Sequence, residues 1–481
     1  MEKHINWQSL FSPSSIAVIG ASNARGSWGY NALKGLLATG GWPIYPVNPN
    51  SPEVLGVKAY RSVVDIPESV DFAVIVVAAR LVPGVLRECV SKGVKAAIVI
   101  SAGFAETGEQ GRELETEIAR IASQEDISFI GPNSLGHAST QSKLSTFGQA
   151  WDMTTGPVSV VSQSGNMCAK IVRNLMESGV TFSKYVSTGN EANLHMEDYL
   201  EYLAGDDDTR VIAAYIEGLR EGRRFLRLAK EITARKPIVA IKVGGTKEAA
   251  RAVMSHTGSL AGMDEVYTAA FRQTGVIRVD NDDELCEVVL GLLNYPLPRS
   301  NRVGILSIGG GPAALTAEAC EKEGLAIGTL EPDTVKKLDK YLPARWPRRN
   351  PVDMAGPAAS EFPVMANMLW ALMEDKNIDT VFMLAPIISD SNFSKRMGLS
   401  SDETKAYREN ELNNLKLLRE KIDQYGKPVV LMWQTRGNTD PEILRLFRQG
   451  RIPIFSNAQY AIRVIRHLAW YKQYLDATAD K

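Results

Sequence analysis

The chain has 481 residues, with 54 Lys+Arg against 55 Asp+Glu, 44% hydrophobic and 23% charged residues. That length exceeds one ordinary core and suggests about three domains, while near-neutral charge offers no basic face for nucleic acid or an anionic membrane surface. No run of about 18 apolar residues is present for a spanning helix, and the start MEKHINWQSLF lacks the apolar stretch of a signal peptide, so no membrane association and a cytoplasmic location are expected.

Short β-branched runs, small-residue turns and amphipathic stretches alternate along the chain, the pattern of βαβ units and parallel sheets. Strands are predicted at 16–19, 44–47, 72–77, 96–100 and 127–130. A second block follows at 158–161, 182–186, 211–216, 238–243 and 276–279, and a third at 303–308, 326–330, 380–384, 429–433 and 454–455. Polar seams at 139–156 and 294–302 separate the blocks. The expected fold is therefore α/β with three consecutive doubly wound domains, at 1–145, 150–297 and 300–475. The charge-dense stretch 401–411 reads as a solvated helix face or loop. The four cysteines are scattered without metal-ligand spacing, so reduced structural thiols and no metal site are expected.

The first strand ends in Gly20-Ala21-Ser22, before a helix starting near Trp28. A small-residue turn of this kind either serves packing alone or brings a phosphate to the positive end of a helix. The later strand ends, Asn48, Val77 and Ser101 to Gly103, would converge on the same crevice. Ser162-Gln163-Ser164-Gly165 lies between an apolar strand and a helix, where it reads as an ordinary N-cap or an anion site.

Of five histidines, His256 stands apart. It sits in Ser255-His256-Thr257-Gly258-Ser259, without an apolar neighbour before Leu260, which suits a mobile loop better than a core. Imidazole is a competent nucleophile towards phosphorus, and backbone N–H groups around Thr257 and Gly258 could hold the phosphoryl group. A carboxylate should orient the ring through its other nitrogen, and Glu217 at the end of VIAAYIEG is the candidate. His137, His195 and His467 read as structural.

Read in order, GAS, VNPN, SAGFAE, GPNSLG, SQSG, STGNEAN, YIEGLREGRRF, SHTGSLAG and NPVD resemble the ADP-forming acetyl-CoA/acyl-CoA synthetases, relatives of the α subunit of succinyl-CoA synthetase. The resemblance covers nearly the whole chain. It implies a Rossmann-like CoA-binding domain followed by two flavodoxin-like ligase domains. It also implies that His256 is the phosphorylated histidine, Glu217 its support, and Ser164, Gly165, Thr257 and Gly258 the phosphate holders. Gly20, Ser22, Asn48, Val77, Ser101 and Gly103 would then cradle CoA, and Asn133 would lie near the acyl site.

The sequence departs from the family at Asn50, Ser134, Asn193 and Gly245, where a lysine, a cysteine, an aspartate and an arginine are usual. No segment resembles the ATP-grasp domain many relatives carry. The expected cofactors are accordingly CoA, with ATP/ADP and Mg²⁺ on a partner subunit. The expected partners are an ATP-grasp β subunit and a small carboxylic acid, in a hetero-oligomer. A non-catalytic CoA- or acyl-CoA-binding regulatory protein is the alternative. An NAD-dependent oxidoreductase would need an acidic residue at the end of strand two, where Asn48 stands.

Overall fold

The computed structural model describes residues 4–148, 151–249, 251, 263–354, 362–384, 395, 398–432, 441–455 and 458–479. Two compact units divide it, Met1–Leu285 and Cys286–Lys481. The first unit carries two sheets and the second carries one six-stranded sheet.

In the first sheet the strands are β1 (Ile16–Ile19), β2 (Ile44–Val47), β5 (Phe72–Ile75), β6 (Ala96–Val99) and β7 (Ser128–Ile130), after a small hairpin of β3 (Glu53–Val54) and β4 (Val57–Lys58). All five are parallel, in the order β2-β1-β5-β6-β7. Every residue of β1, β5 and β6 is buried. This is why these segments read as continuous apolar runs and not as alternating ones. The chain reverses its winding between β1 and β5, which places a ligand crevice beyond their carboxyl ends.

The second sheet repeats that order with β10 (Thr155–Ser162), β11 (Phe182–Ser187), β12 (Val211–Ile216), β13 (Ile238–Lys242) and β14 (Ile277–Val279). Its path is β14-β13-β12-β10-β11, extended by β8 (His137–Ser139) and β9 (Leu144–Ser145). β8 runs antiparallel to β11, pairing His137 with Val186. The seam read as a domain boundary at 139–156 thus holds β9 and the last residue of β8, both part of the second sheet. One apolar cluster accordingly draws on both sheets, from Ile16 and Phe72 to Ile212 and Phe225.

His137 seals that joint. It is fully buried, with Nε2 2.7 Å from the Leu10 carbonyl and Nδ1 3.1 Å from Thr146 Oγ1. Burial pushes its pKa down to about 4 against the usual 6.5, so the ring is a neutral structural group, as expected from the sequence.

In the second unit the sheet runs β16-β15-β18-β19-β20, all parallel, with β17 paired to β15. These are β15 (Arg302–Ser307), β16 (Ala326–Ile327), β17 (Val352–Asp353), β18 (Thr380–Leu384), β19 (Val429–Met432) and β20 (Ile454–Phe455). The stretch 401–411 opens a long helix, Ser401–Tyr425, capped by Ser400 and Glu403. All four cysteines are free and buried. Among the described residues no helix is long and apolar enough to cross a membrane.

Candidate functional site

A cleft of ≈ 560 Å³ opens in the first unit at the carboxyl ends of both sheets. Seven of the residues singled out from sequence line it: Gly20, Ser22, Val77, Ser101, Asn133, Ser164 and Gly165. Two helices aim their N-termini at it, α2 (Trp28–Thr39) and α5 (Gly165–Glu177). Ser27 caps the first by accepting from the Tyr30 N–H, and Ser164 caps the second at Met167. Together these ends give a polar, partly positive pocket suited to phosphate groups. Trp28, more than half exposed, adds an apolar face at the same cleft.

Glycine is required where the chains approach most closely. Gly20 has φ +91°, and a Cβ there would lie 2.2 Å from the Val76 carbonyl oxygen. A Cβ on Gly29 would lie 2.0 Å from the Gly20 carbonyl oxygen, so α2 packs directly on the strand end. At Gly165 the obstacle is Leu135, whose Cβ would be 2.7 Å away.

Asn48 and Gly103 do not line the cleft; both brace it. Asn48 Nδ2 donates to the Ala21 carbonyl at 2.8 Å, and its Oδ1 accepts from the Asn50 N–H at 2.8 Å. Gly103 N–H donates to Glu106 Oε1 at 2.6 Å. Ser101 braces from within, its Oγ accepting from the Val77 N–H at 3.1 Å.

Asn133, at φ +59°, donates through Nδ2 to Asn190 Oδ1 at 3.3 Å. Asn190, another cleft residue, is itself held by Glu106 and Glu115, which accept from its Nδ2 at 2.6 and 2.8 Å. Ser134, where a cysteine is usual, donates to the Ser187 carbonyl at 2.6 Å and accepts from the Gly136 N–H. Its hydroxyl is committed to holding the turn.

Glu217 is buried at the end of β12, across the winding reversal of the second sheet from Ser164. Its carbonyl accepts from Lys242 Nζ at 3.0 Å, and its N–H donates to Gln163 Oε1 at 2.5 Å. Gln163 also reaches Glu191, a fully buried carboxyl whose pKa burial pushes up to about 8 despite hydrogen bonds from Gln163 and Thr188. His256, Thr257 and Gly258 lie outside the described residues. Sequence reading missed Gln163, Asn190, Glu191 and Lys242. The first three stand within quoted motifs, but only the fold gives them partners.

Residues 14–140 match a CoA binding domain, and residues 155–292 match a succinyl-CoA ligase like flavodoxin domain. The alpha subunit of acetate–CoA ligase (ADP-forming) II from Pyrococcus furiosus is 38% identical over 451 residues, spanning 94% of each chain. The chain belongs to the ADP-forming acetate–CoA ligase family.

Members of this family are acid–thiol ligases. A second relative, the 4-hydroxybutyrate–CoA ligase (ADP-forming) of Nitrosopumilus maritimus, is 35% identical over 98% of this chain, which spans 65% of that longer protein. The solved dinucleotide-forming acetyl-coenzyme A synthetase 1 of Ca. Korarchaeum cryptofilum, in complex with phosphate and ADP, superposes with a TM-score of 0.82. It is 29% identical, with 98% of this chain and 99% of that one covered. The α/β fold with a CoA-binding domain ahead of a flavodoxin-like ligase domain agrees with the sequence expectation.

Proposed function

We propose that the chain is the alpha-type subunit of an NDP-forming acyl-CoA synthetase, converting acid, CoA and ATP into acyl-CoA, ADP and phosphate through a phosphohistidine. The observation that carries the reading is the shared cleft, where Gly20, Ser22, Val77 and Ser101 of the first sheet meet Ser164 and Gly165 of the second. CoA binds along the first-sheet loops. His256 takes the phosphoryl group from ATP, with Glu217 holding its ring. The ring then passes phosphate to the substrate carboxylate near Asn133, forming an acyl phosphate. The CoA thiolate attacks the acyl carbon and phosphate leaves, while Ser164, Gly165, Thr257 and Gly258 supply donors to the phosphoryl oxygens.

The working domains are 1–145, 150–297 and 300–475, the first lending β8 and β9 to the sheet of the second. Mg²⁺ and the nucleotide sit on a separate ATP-grasp β subunit. Its support is the match to a protein named as an alpha subunit over 94% of both chains. The interface should then be large, on the order of 2,000 Å² in total. The acid is a carboxylate, small in the relatives named for acetate and for 4-hydroxybutyrate and bulkier in one named for trans-feruloyl-CoA.

The test joins three assays. Calorimetry should find CoA binding far tighter than NAD. The chain with ATP, Mg²⁺, CoA and acids should form thioester only when the partner is added. His256→Asn should abolish that activity and leave CoA affinity unchanged. Wild-type turnover by His256→Asn would overturn the carrier role, and ATP-dependent thioester formation by the chain alone would overturn the partner.

A further inference from the structure

We infer that Gln163 is the positioning residue for Glu217, fixing the loop that carries this carboxylate against the start of α5 without itself touching a ligand. The inference rests on the role of Glu217 proposed above and goes beyond it by naming what holds Glu217 in place.

Gln163 lines the cleft, yet its amide has nothing left to offer a ligand. Oε1 accepts from the N–H groups of Glu217 at 2.5 Å and Gly218 at 3.0 Å. Nε2 donates to the Gly218 carbonyl at 2.7 Å and to Glu191 Oε2 at 2.9 Å. A primary amide has two acceptor sites and two donor hydrogens, so all four are used. Turning the amide over would set its NH₂ against two N–H groups and its oxygen against a carbonyl. The orientation is therefore fixed by its partners.

The location matters as much as the count. Ser162 pairs with Tyr215 in the β10–β12 ladder, and the ladder ends there. Beyond it the N–H groups of Glu217 and Gly218 have left the sheet, and Gln163 takes the place of the missing strand residue as their acceptor. The next residue, Ser164, caps α5 at the cleft. One side chain thus ties the carboxylate-bearing loop to the helix end that faces the cleft. Glu191 holds the far side of the amide and is in turn bonded by Thr188 Oγ1 at 2.8 Å. Reacting groups that drift by about 1 Å lose on the order of 100-fold in rate, so a loop released here should show in transfer and not in binding.

The experiment uses the assembled ligase, this chain with its nucleotide-binding partner. Labelled inorganic phosphate plus acyl-CoA is added, and phosphoenzyme formation is followed at a temperature where circular dichroism shows every variant folded. Gln163→Met should slow phosphoenzyme formation at least tenfold, with CoA affinity within about twofold of wild type. Gln163→Glu keeps the acceptor, loses both donors and sets two carboxyls face to face. Exchanging the pair, Gln163→Glu with Glu191→Gln, returns a donor between them and should recover rate over Gln163→Glu alone.

A wild-type rate in Gln163→Met would overturn the inference, as would a parallel fall in CoA affinity, which marks a ligand contact. Should Gln163→Met not fold, an exchanged pair no faster than Gln163→Glu overturns it instead. Glu217→Gln runs beside these: wild-type rate there sinks the reading of Glu217 itself, whereas a slow Glu217→Gln with a fast Gln163→Met sinks only the positioning role.

Discussion

The cleft is entered by two strand-to-helix turns built on the same topology but finished differently. After β1 the chain takes residues 20–27 to reach α2, and residues 23–26 are exposed. After β10 it takes only residues 163–164 to reach α5, and Gln163 is 8% exposed with both side-chain polar atoms bonded. The long turn exposes its middle at a rim, as a large flexible ligand needs. The short one is locked from behind, as a group that must meet a reacting atom needs. On the function proposed above, the same strand order serves binding in one sheet and positioning in the other.

Substitutions at the two turns should separate these roles. The largest effect is expected from Gly20→Val, which adds a clash with the Val76 carbonyl to an unfavourable φ of +91°. A stability loss of about 3 kcal/mol or more should accompany loss of CoA binding, read by denaturant unfolding and calorimetry. Gly165→Ala forces Leu135 aside and should cost about 1–3 kcal/mol. Its mark is a slower phosphoryl transfer with CoA affinity kept within about threefold; equal losses of both would erase the distinction between the turns.

Next comes pH, where two buried groups of the first unit act with opposite sign. His137 has its folded pKa lowered to about 4 from 6.5, so the unfolded chain binds the extra proton. Stability should fall as pH drops from 6.5 towards 4. Glu191 has its folded pKa raised to about 8 from 4.5, so the folded chain holds the extra proton. Its contribution is complete below 4.5 and is lost as pH rises towards 8. Glu191→Gln should reduce the alkaline slope by at most about 1.4 kcal/mol per pH unit, Glu115 and Glu197 being raised by burial in the same sense, and leave the acid slope in unfolding midpoints.

The smallest effect is expected at Ser22, whose Oγ accepts from the Ala24 N–H in the long turn. Ser22→Ala should cost about 0.5–1 kcal/mol. Turnover at saturating CoA should be unchanged, because the Gln163 bonds are untouched. A fall in that turnover would mean that the long turn also positions.

The sequence by itself determined the parallel core strands and the small-residue turns that end them, but not the short strands β3, β4, β8, β9 and β17. Runs such as Ile16–Ile19 and Phe72–Ile75 are buried on both faces, so their apolar character is continuous and visible locally. Gly20 and Gly165 were legible for the same reason: close approach at a strand end admits little else. The tertiary structure alone decided what depends on distant partners. His137 is structural because the Leu10 carbonyl, 127 residues away, accepts from its ring Nε2–H. The strand it opens belongs to the second sheet because β11 has a free edge there. Gln163 looks like an ordinary cap residue until Glu217 and Gly218, 54 and 55 residues on, turn their N–H groups towards it. A side chain's type can be read from its neighbours in the chain, but its hydrogen-bond partners are chosen by the fold.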